Sequence, residues 1–182
     1  MIVEPTTLPG VLVVRSPVHV DVRGFFTEVF RAERFAELGL PAQFDQDNHS
    51  RSTRHVVRGL HFQLENPQGK LVRAVSGVIF DVAVDVRRSS PHFRRWVGVT
   101  LDARQGNQLW IPPGFAHGFL VLSDCADVSY KCTTAYHAAS NSCIRWDDPE
   151  IGIAWPLEPG VEPILSPSDA SAGLLSSSRV FE

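Results

Sequence analysis

The sequence contains little of several features that would place it in a specialised class. Only two of its 17 basic residues are lysines, Lys70 and Lys131, and the formal net charge of the 182 residues is -3. This balance supplies no broad positive field, so we expect neither a nucleic-acid nor a membrane partner. No stretch approaches the roughly 18 apolar residues of a membrane span, and the N-terminus lacks the pattern of a signal peptide.

Cysteine is also scarce. Cys125, Cys132 and Cys143 are an odd number without CxxC spacing. This pattern favours free thiols in small buried or half-buried positions, and it predicts a reducing, cytoplasmic location.

The histidines do not follow the pattern of a metal-binding barrel. Such a barrel usually places two histidines in one strand as HxH, whereas Gln63 stands where the partner of His61 would be. His49 and His55 lie in a Ser/Arg-rich stretch that we expect to be a loop, and their spacing is not that of ligands. We therefore expect no metal. Because a Gly-rich dinucleotide fingerprint is missing as well, we also expect no nicotinamide cofactor.

Short β-type segments dominate the chain. Ala32–Leu38, closed by Gly39, is the one convincing helix before the C-terminal region. Strands that recur about every ten residues without βα alternation predict an all-β sandwich or barrel. The longest apolar segment predicts a hairpin with its turn at Ser76-Gly77. The predicted strand regions are Val11–Val14, Leu71–Val86, Trp96–Leu101, Gln108–Ile111, Gly118–Leu122 and Asp127–Cys132.

Proline and glycine, 13 residues of each, are spread along the chain and do not collect in a linker. This distribution predicts a single domain over residues 1–182, with a core of about 5–170. The small, polar segment from about 170 to 182 is expected to be a looser tail, ordered by packing against the core.

Three polar clusters interrupt the apolar pattern. In RGLHFQ, Arg58 and His61 would face opposite sides of a strand unless Gly59 forms a bulge. In PPGFAHGF, a turn delivers His117 to the start of an apolar strand. DVSYKCTTAY holds both tyrosines of the chain, which share a face if the strand is continuous. Taken singly, each histidine or tyrosine fits a packing role at least as well as a catalytic one.

A fourth polar stretch, DVRGFFTE, begins at Asp21. Its Arg23 can pair with a phosphate, and a neighbouring phenyl ring can stack on a planar base. The same stretch equally fits the polar rim of an edge strand.

Together these segments resemble the dTDP-4-dehydrorhamnose 3,5-epimerase family, a branch of the cupin-like jelly-roll proteins. The resemblance runs from near residue 5 to about residue 170, and its motifs occur in the family's order and spacing. They are DVRGFFTEVF, QDNHS, VVRGLHFQ, QGKLVRAVSG, FDVAVDVRRSSPHF, LWIPPGFAHGF, SYKCTTAY, WDDPEIGIAWP and LSPSDA.

The resemblance implies a cupin-like double-stranded β-helix, or jelly-roll barrel, with a few short peripheral helices. It also implies cofactor-independent epimerisation of dTDP-4-dehydro-6-deoxy-D-glucose to dTDP-4-dehydro-L-rhamnose in dTDP-L-rhamnose biosynthesis. The protons on carbons 3 and 5 are acidic because the carbon-4 ketone delocalises the carbanion as an enolate. The family is typically homodimeric, so a homodimer is expected.

The family's roles fall on numbered residues of this chain. His61 corresponds to the base, Asp169 to its orienting carboxylate, Tyr130 to the acid and Lys70 to the cation near the ketone oxygen. The substrate-binding positions implied in the same way are Arg23, Phe26, Glu28, Gln46, Asn48, Arg58, His117, Tyr136 and Asn141.

The chain departs from the family pattern at two binding positions. Asn141 stands where the family often has glutamate, and Ser168 stands where it has lysine or arginine. The two changes remove one charge of each sign, and the proton-transfer residues are complete.

Three alternatives stay open at this point. The first is an epimerase acting only at carbon 3 or carbon 5, and the second is a ketoisomerase acting on the same 4-keto sugar. The third is a non-catalytic nucleotide-sugar-binding barrel, which would leave His61, Tyr130 and Lys70 without a chemical role.

Overall fold

The structure, a computed structural model, describes residues 1–182 and is built mainly of strands. Two short helices, α1 (Ala32–Glu37) and α2 (Pro167–Ala170), and the 3-10 turns Ala138–Ser140 and Leu175–Ser177 accompany them. The all-β prediction is therefore confirmed. The strands are β1 (Ile2–Pro5), β2 (Leu12–Arg15), β3 (His19–Asp21), β4 (Gly24–Phe26), β5 (Gln46–Thr53), β6 (Val57–Gln63), β7 (Lys70–Ser76), β8 (Val78–Asp85), β9 (Trp96–Asp102), β10 (Asn107–Ile111), β11 (Phe115–Val121), β12 (Cys125–Cys132) and β13 (Asn141–Cys143).

These strands form two facing antiparallel sheets and a separate hairpin. The first sheet has the order β1-β2-β10-β7-β12-β5, the second has the order β13-β6-β11-β8-β9, and β3 pairs only with β4. The main core lies between the sheets and contains side chains of both, including Val72, Leu109, Ile79 and Phe119. The inner faces of the two sheets therefore pack against each other around one interior.

The predicted hairpin at Ser76-Gly77 is wrong. The chain does turn there, with Gly77 at φ 74°, but β7 joins the first sheet and β8 joins the second. Val72 of β7 and Ile79 of β8 meet in the core across the interior, and the two strands exchange no ladder hydrogen bonds. Both strands are rich in apolar residues because each is a central strand buried between neighbours, a pattern that periodicity cannot distinguish from a paired hairpin.

The stretch containing His49, which we expected to be a loop, is strand β5. Its sequence QDNHSRST has no apolar residue, so it gives no hydrophobic signal. It becomes a strand through an eight-residue antiparallel register with β12, in which Asn48 lies opposite Tyr130. Four other strands without a sequence prediction are short or lie at edges: β1, β3, β4 and β13. The internal strand β6 had only the conditional interpretation of its RGLHFQ motif.

Gly59 forms the bulge on which the position of His61 depends. In the pairing of β6 with β11, His61 lies opposite His117 and Arg58 lies opposite Phe119, so three residues of β6 span two of β11. Arg58 and His61 therefore share the inner face. Gly59 has φ 127°, and a Cβ there would lie 2.6 Å from the Cα of Gly118, so no larger residue fits.

The C-terminal segment covers the outer face of the second sheet. Ile144, Ile151, Leu175 and Val180 pack there with Phe62 of β6. Buried Asp148 accepts the backbone N–H of Leu175 at 2.7 Å, and a β-bridge joins residues 87 and 181. This path carries α2, and with it Asp169, back to β6. No helix in the fold is both long enough and apolar enough to cross a membrane.

Candidate active site

His61 and Asp169 form a hydrogen-bonded pair at the inner face of β6. The Nε2 atom of His61 lies 2.6 Å from Oδ1 of Asp169, and the Asp169 side chain is 4% exposed. Burial by itself would raise the pKa of Asp169, but the bond to His61 and the contacts of Ser166 and Cys143 leave it below its usual value. The carboxylate is thus an acceptor and Nε2 carries the proton. The Nδ1 atom is the nitrogen left free to take a proton from a substrate.

Helix α2 fixes the position of Asp169. Its cap residue Ser166 accepts the backbone N–H of Asp169 at 3.1 Å and donates its hydroxyl to Oδ2 at 2.9 Å. Pro167 occupies the first helical position, where a backbone N–H is not needed. Oδ2 of Asp169 is therefore held by the cap residue of its own helix, and Oδ1 bonds to the imidazole of His61.

Tyr130 and Lys70 come from the opposite sheet. Tyr130 lies in the middle of β12, with its ring centroid 6.3 Å from that of His117 on β11. Lys70 opens β7, and its ammonium donates to the backbone carbonyl of His61 at 3.5 Å. The acid and cation thus lie on one wall of the interior, and the base lies on the other.

Burial shifts the pKa values of both groups. It raises the pKa of the Tyr130 phenol, with a smaller opposing effect of Arg58, so that the hydroxyl keeps its proton at neutral pH. It lowers the pKa of Lys70, and the neighbouring Cys132 and Asp81 offset this only in part. Desolvated groups of this kind interact strongly with charge that develops beside them.

A second histidine–carboxylate pair lies deeper in the interior. The Nε2 atom of His117 is 2.8 Å from Oδ1 of Asp81, which is fully buried on β8. Burial lowers the pKa of His117, although Asp81 opposes the shift. Asp81 has no predicted role. The sequence feature that points to it is a carboxylate within the apolar run VIFDVAVD, because a buried carboxylate needs a hydrogen-bond or charge partner.

Most of the predicted binding residues surround this cluster. Asn48 lies opposite Tyr130, and Gln46 donates to Asn48 at 2.9 Å. Arg58 shares the inner face of β6 with His61. Exposed Asn141 opens β13, opposite Gln63 of β6.

Tyr136 does not share a strand face with Tyr130, since β12 ends at Cys132. Its backbone N–H instead donates to the side chain of Gln46 at 2.7 Å, and the residue is 56% exposed. The aromatic ring therefore lies in a loop beside the polar residues of β5.

Three predicted binding residues are not brought to the cluster within one chain. Arg23 and Phe26 belong to the exposed hairpin β3–β4, and the guanidinium of Arg23 bonds only to Asp21. Glu28 follows the hairpin and pairs with Arg31 at 3.3 Å. Their side chains face solvent, away from the interior in which His61 and Tyr130 meet.

Cys143, predicted only as a small free thiol in a buried or half-buried position, is a further residue of the site. It lies opposite His61 in the pairing of β13 with β6, and its thiol donates to Asp169 Oδ1 at 3.6 Å. Burial and the neighbouring carboxylate raise the pKa of this thiol to about 12. All three cysteines are free.

Comparison with known proteins identifies relatives along the whole chain. The family model of dTDP-4-dehydrorhamnose 3,5-epimerase matches residues 5–177. The protein of that name from Salmonella typhimurium is 50% identical over 184 residues, which cover 100% of both chains. The one from Neisseria gonorrhoeae is 53% identical over 164 residues, covering 90% of this chain and 49% of its own. The chain thus spans about half the length of the latter relative.

Solved structures share the fold closely. A Legionella pneumophila dTDP-6-deoxy-D-glucose-3,5-epimerase in complex with dTDP-4-keto-L-rhamnose is 48% identical, with TM-score 0.91 and coverage of 96% of this chain and 93% of its own. A 3'-monoepimerase from Streptomyces bikiniensis in complex with dTDP-quinovose is 35% identical, with TM-score 0.88 and coverage of 95% and 87%. The cupin-like barrel is therefore confirmed, and the two relatives that share it are named as a 3,5-epimerase and a 3'-monoepimerase.

Proposed function

The chain belongs to the dTDP-4-dehydrorhamnose 3,5-epimerase family, and on that premise we propose how its own residues carry out the reaction. The activity is 3,5-epimerisation of a dTDP-4-keto-6-deoxy sugar in dTDP-L-rhamnose biosynthesis. One observation carries the assignment of roles: His61 and Tyr130 stand on opposing sheets, with Lys70 donating to the backbone of His61. Inversion of a carbon requires a base on one face and an acid on the other, and this interior offers both.

In the proposed first step, Nδ1 of His61 removes the proton next to the ketone. The electron pair of the C–H bond moves into the adjacent bond and onto the ketone oxygen, which forms an enolate. Asp169 stabilises the imidazolium through Nε2–H, as in other histidine–carboxylate pairs.

Lys70 and Tyr130 complete the proposed step. The Lys70 ammonium stabilises the enolate oxygen in a desolvated interior, a type of contact whose loss typically costs about 10²–10³ in kcat. Tyr130 then gives its phenolic proton to the carbon from the opposite face, which inverts the centre. Exchange with solvent returns Tyr130 to the phenol and His61 to the neutral base, ready for the second carbon.

We assign the nucleotide to the residues around the interior. Arg58 supplies a cation for the diphosphate, and Gln46, Asn48, His117 and Asn141 supply polar contacts. Exposed Tyr136 offers a ring on which the thymine can stack, worth about 1–3 kcal/mol for base–aromatic stacking in general.

Arg23, Phe26 and Glu28 enter this proposal through a second copy of the chain. Hairpin β3–β4 pairs with no other strand and exposes Val20, Val22, Phe25 and Phe26. An exposed apolar hairpin of this kind favours association. We therefore expect a homodimer in which the hairpin packs on the partner. Sedimentation equilibrium should give twice the chain mass of 20.1 kDa, and a stable 20.1 kDa species would contradict it.

Two coarser expectations accompany this proposal. We place the protein in the cytoplasm because three unpaired thiols are typical of a reducing compartment. We also treat residues 1–182 as one domain, since the C-terminal segment that delivers Asp169 packs on the second sheet. Cell fractionation and limited proteolysis test these two points.

The direct test is incubation with the 4-keto sugar nucleotide in deuterated water, followed by NMR. Deuterium at both carbons 3 and 5, with inverted product, is the expected result. Deuterium at one carbon alone would indicate a single-site epimerase, which the likeness to the 3'-monoepimerase makes the principal competing assignment. A ketoisomerase would instead move the carbonyl group. Intact binding of dTDP without any exchange would indicate the non-catalytic barrel.

A further inference from the structure

Three side-chain atoms that can each bind a metal ion lie close together at His61. They are Nε2 of His61, Oδ1 of Asp169 and Sγ of Cys143, and all lie within 4.8 Å of one another. The nitrogen and the carboxylate oxygen are 2.6 Å apart, and the sulfur is 3.6 Å from the same oxygen. Imidazole nitrogen, carboxylate oxygen and thiolate sulfur are each ligands that zinc accepts, and three protein ligands leave a fourth position open.

A tetrahedral ion requires side-chain movements of about 1 Å at this cluster, because the His61 and Cys143 ligand atoms lie within 4.8 Å and have to approach each other. Zinc bonds of about 2.0 Å to nitrogen or oxygen and about 2.3 Å to sulfur place neighbouring ligand atoms about 3.3–3.7 Å apart. The separation of Cys143 from Asp169 already has this value. The separation of His61 from Asp169 has to open by under about 1 Å. A carboxylate and a thiolate would together neutralise a divalent charge inside a partly desolvated site.

We propose that His61, Asp169 and Cys143 form an inhibitory binding site for a thiophilic divalent cation such as Zn²⁺. Its inhibitory effect rests on the proposed role of His61 as base, whereas binding of the ion does not. The bound ion would inhibit the enzyme because it coordinates Nε2 of His61, the nitrogen that must carry a proton during catalysis.

The proton balance explains the inhibition. In the metal-free pair, the proton of the neutral imidazole sits on Nε2, facing Asp169, and Nδ1 has the free lone pair. When the ion takes the lone pair of Nε2, that proton moves to Nδ1, as the two nitrogens of a neutral imidazole require. The thiol proton of Cys143 leaves to solvent as the thiolate coordinates. An Nδ1 atom that already carries a proton cannot accept one from the sugar.

Two of the three ligand residues are partly accessible. Cys143 is half-buried and lines an open cavity of about 300 Å³ together with Glu65, Ser140 and Ser142. His61 is itself 37% exposed. Sequence spacing cannot reveal this ligand set, because β6, β13 and α2 are far apart in the chain and the fold alone brings them together.

Titration of the metal-free protein with Co²⁺ tests binding separately from activity. We expect one ion per chain, with the visible bands of tetrahedral cobalt and a near-ultraviolet thiolate charge-transfer band. Zn²⁺ should displace the cobalt, lower the epimerisation rate by at least about 100-fold at saturation, and be reversed by EDTA. Mg²⁺, which prefers oxygen ligands, should leave the rate unchanged.

Cys143→Ser is the diagnostic variant and Cys125→Ser is its matched control, since Cys125 is an exposed thiol outside the cluster. Cys143→Ser should lose the charge-transfer band and weaken cobalt binding by more than about 100-fold. Cys125→Ser should bind like the wild type. Each variant's inhibition is measured against its own metal-free rate.

Equal binding by wild type and Cys143→Ser, or no binding at all, would overturn the site. If cobalt binds with the thiolate band but the wild type catalyses no proton exchange, the metal site stands and the proposed function fails. If exchange occurs at the same rate with Zn²⁺ fully bound, the inhibitory role is wrong.

Discussion

His61→Asn is expected to lower kcat/KM for epimerisation by about 10²–10⁴-fold, the usual contribution of a general base. Asparagine keeps a polar side chain of smaller size on the inner face of β6, but it cannot accept a proton at neutral pH. Deuterium incorporation at both carbons should fall by the same factor, because every exchange begins with proton removal by this group. Rates of deuterium incorporation, followed by NMR, provide the measurement.

Two further measurements separate catalysis from structure in this variant. Calorimetric affinity for dTDP should stay close to that of the wild type, since the proposed nucleotide contacts come from other residues. His49→Asn is the matched control, because His49 is an exposed histidine on the outer face of β5 whose ring pairs with Asp127. Full exchange by His61→Asn would show that another group is the base, and joint loss of exchange and folding would show a structural histidine.

Tyr130→Phe is expected to separate proton exchange from inversion. The phenyl ring keeps the packing of Tyr130 against the main core, but the hydroxyl that delivers the proton is gone. His61 can still remove a proton, trade it with solvent through its partly exposed ring, and return deuterium to the same face. We therefore expect deuterium in the recovered substrate with unchanged configuration, and inverted product reduced by about 10²–10⁴-fold.

The comparison of deuterium content with configuration is made by NMR on one sample. Tyr136→Phe is the control, since phenylalanine keeps the exposed ring proposed to stack on the thymine and removes only a hydroxyl outside the interior, so inversion should stay intact. Inversion by Tyr130→Phe at the wild-type rate would exclude Tyr130 as the acid. Loss of exchange together with inversion would mean that the hydroxyl also assists the first proton transfer.

These two results depend on a geometry that neither residue reveals in its own segment. Gly59, two residues before His61, has a positive φ and forms a bulge. The RGLHFQ motif is compatible with either this bulge or a regular strand. Tyr130 follows a regular alternation of buried and polar residues, which fits a packing role equally well. Only their placement on different sheets makes them a base and an acid facing one ring.

The polar strand β5 shows where local sequence carries no signal. Its eight residues include no apolar side chain, and they form a strand because β12 offers a free row of backbone donors and acceptors. Local sequence is also insufficient to predict the strand pairing around Ser76-Gly77. The turn was predicted, but the partners of the strands on either side depend on residues far along the chain.

Sequence alone determined the all-β class, most of the central strands and helix α1, and the family resemblance of its motifs supplied the proposed proton-transfer residues. These properties depend on local periodicity, turn residues and motifs, and each of these signals comes from residues close together in the sequence. Tertiary structure decided which strands pair, that Asp169 reaches His61 across 108 positions, and that Cys143 joins them. It also left hairpin β3–β4 exposed, away from the interior. Contacts of this kind form when burying apolar surface between the sheets outweighs the entropy of closing long loops, a balance set by the whole chain.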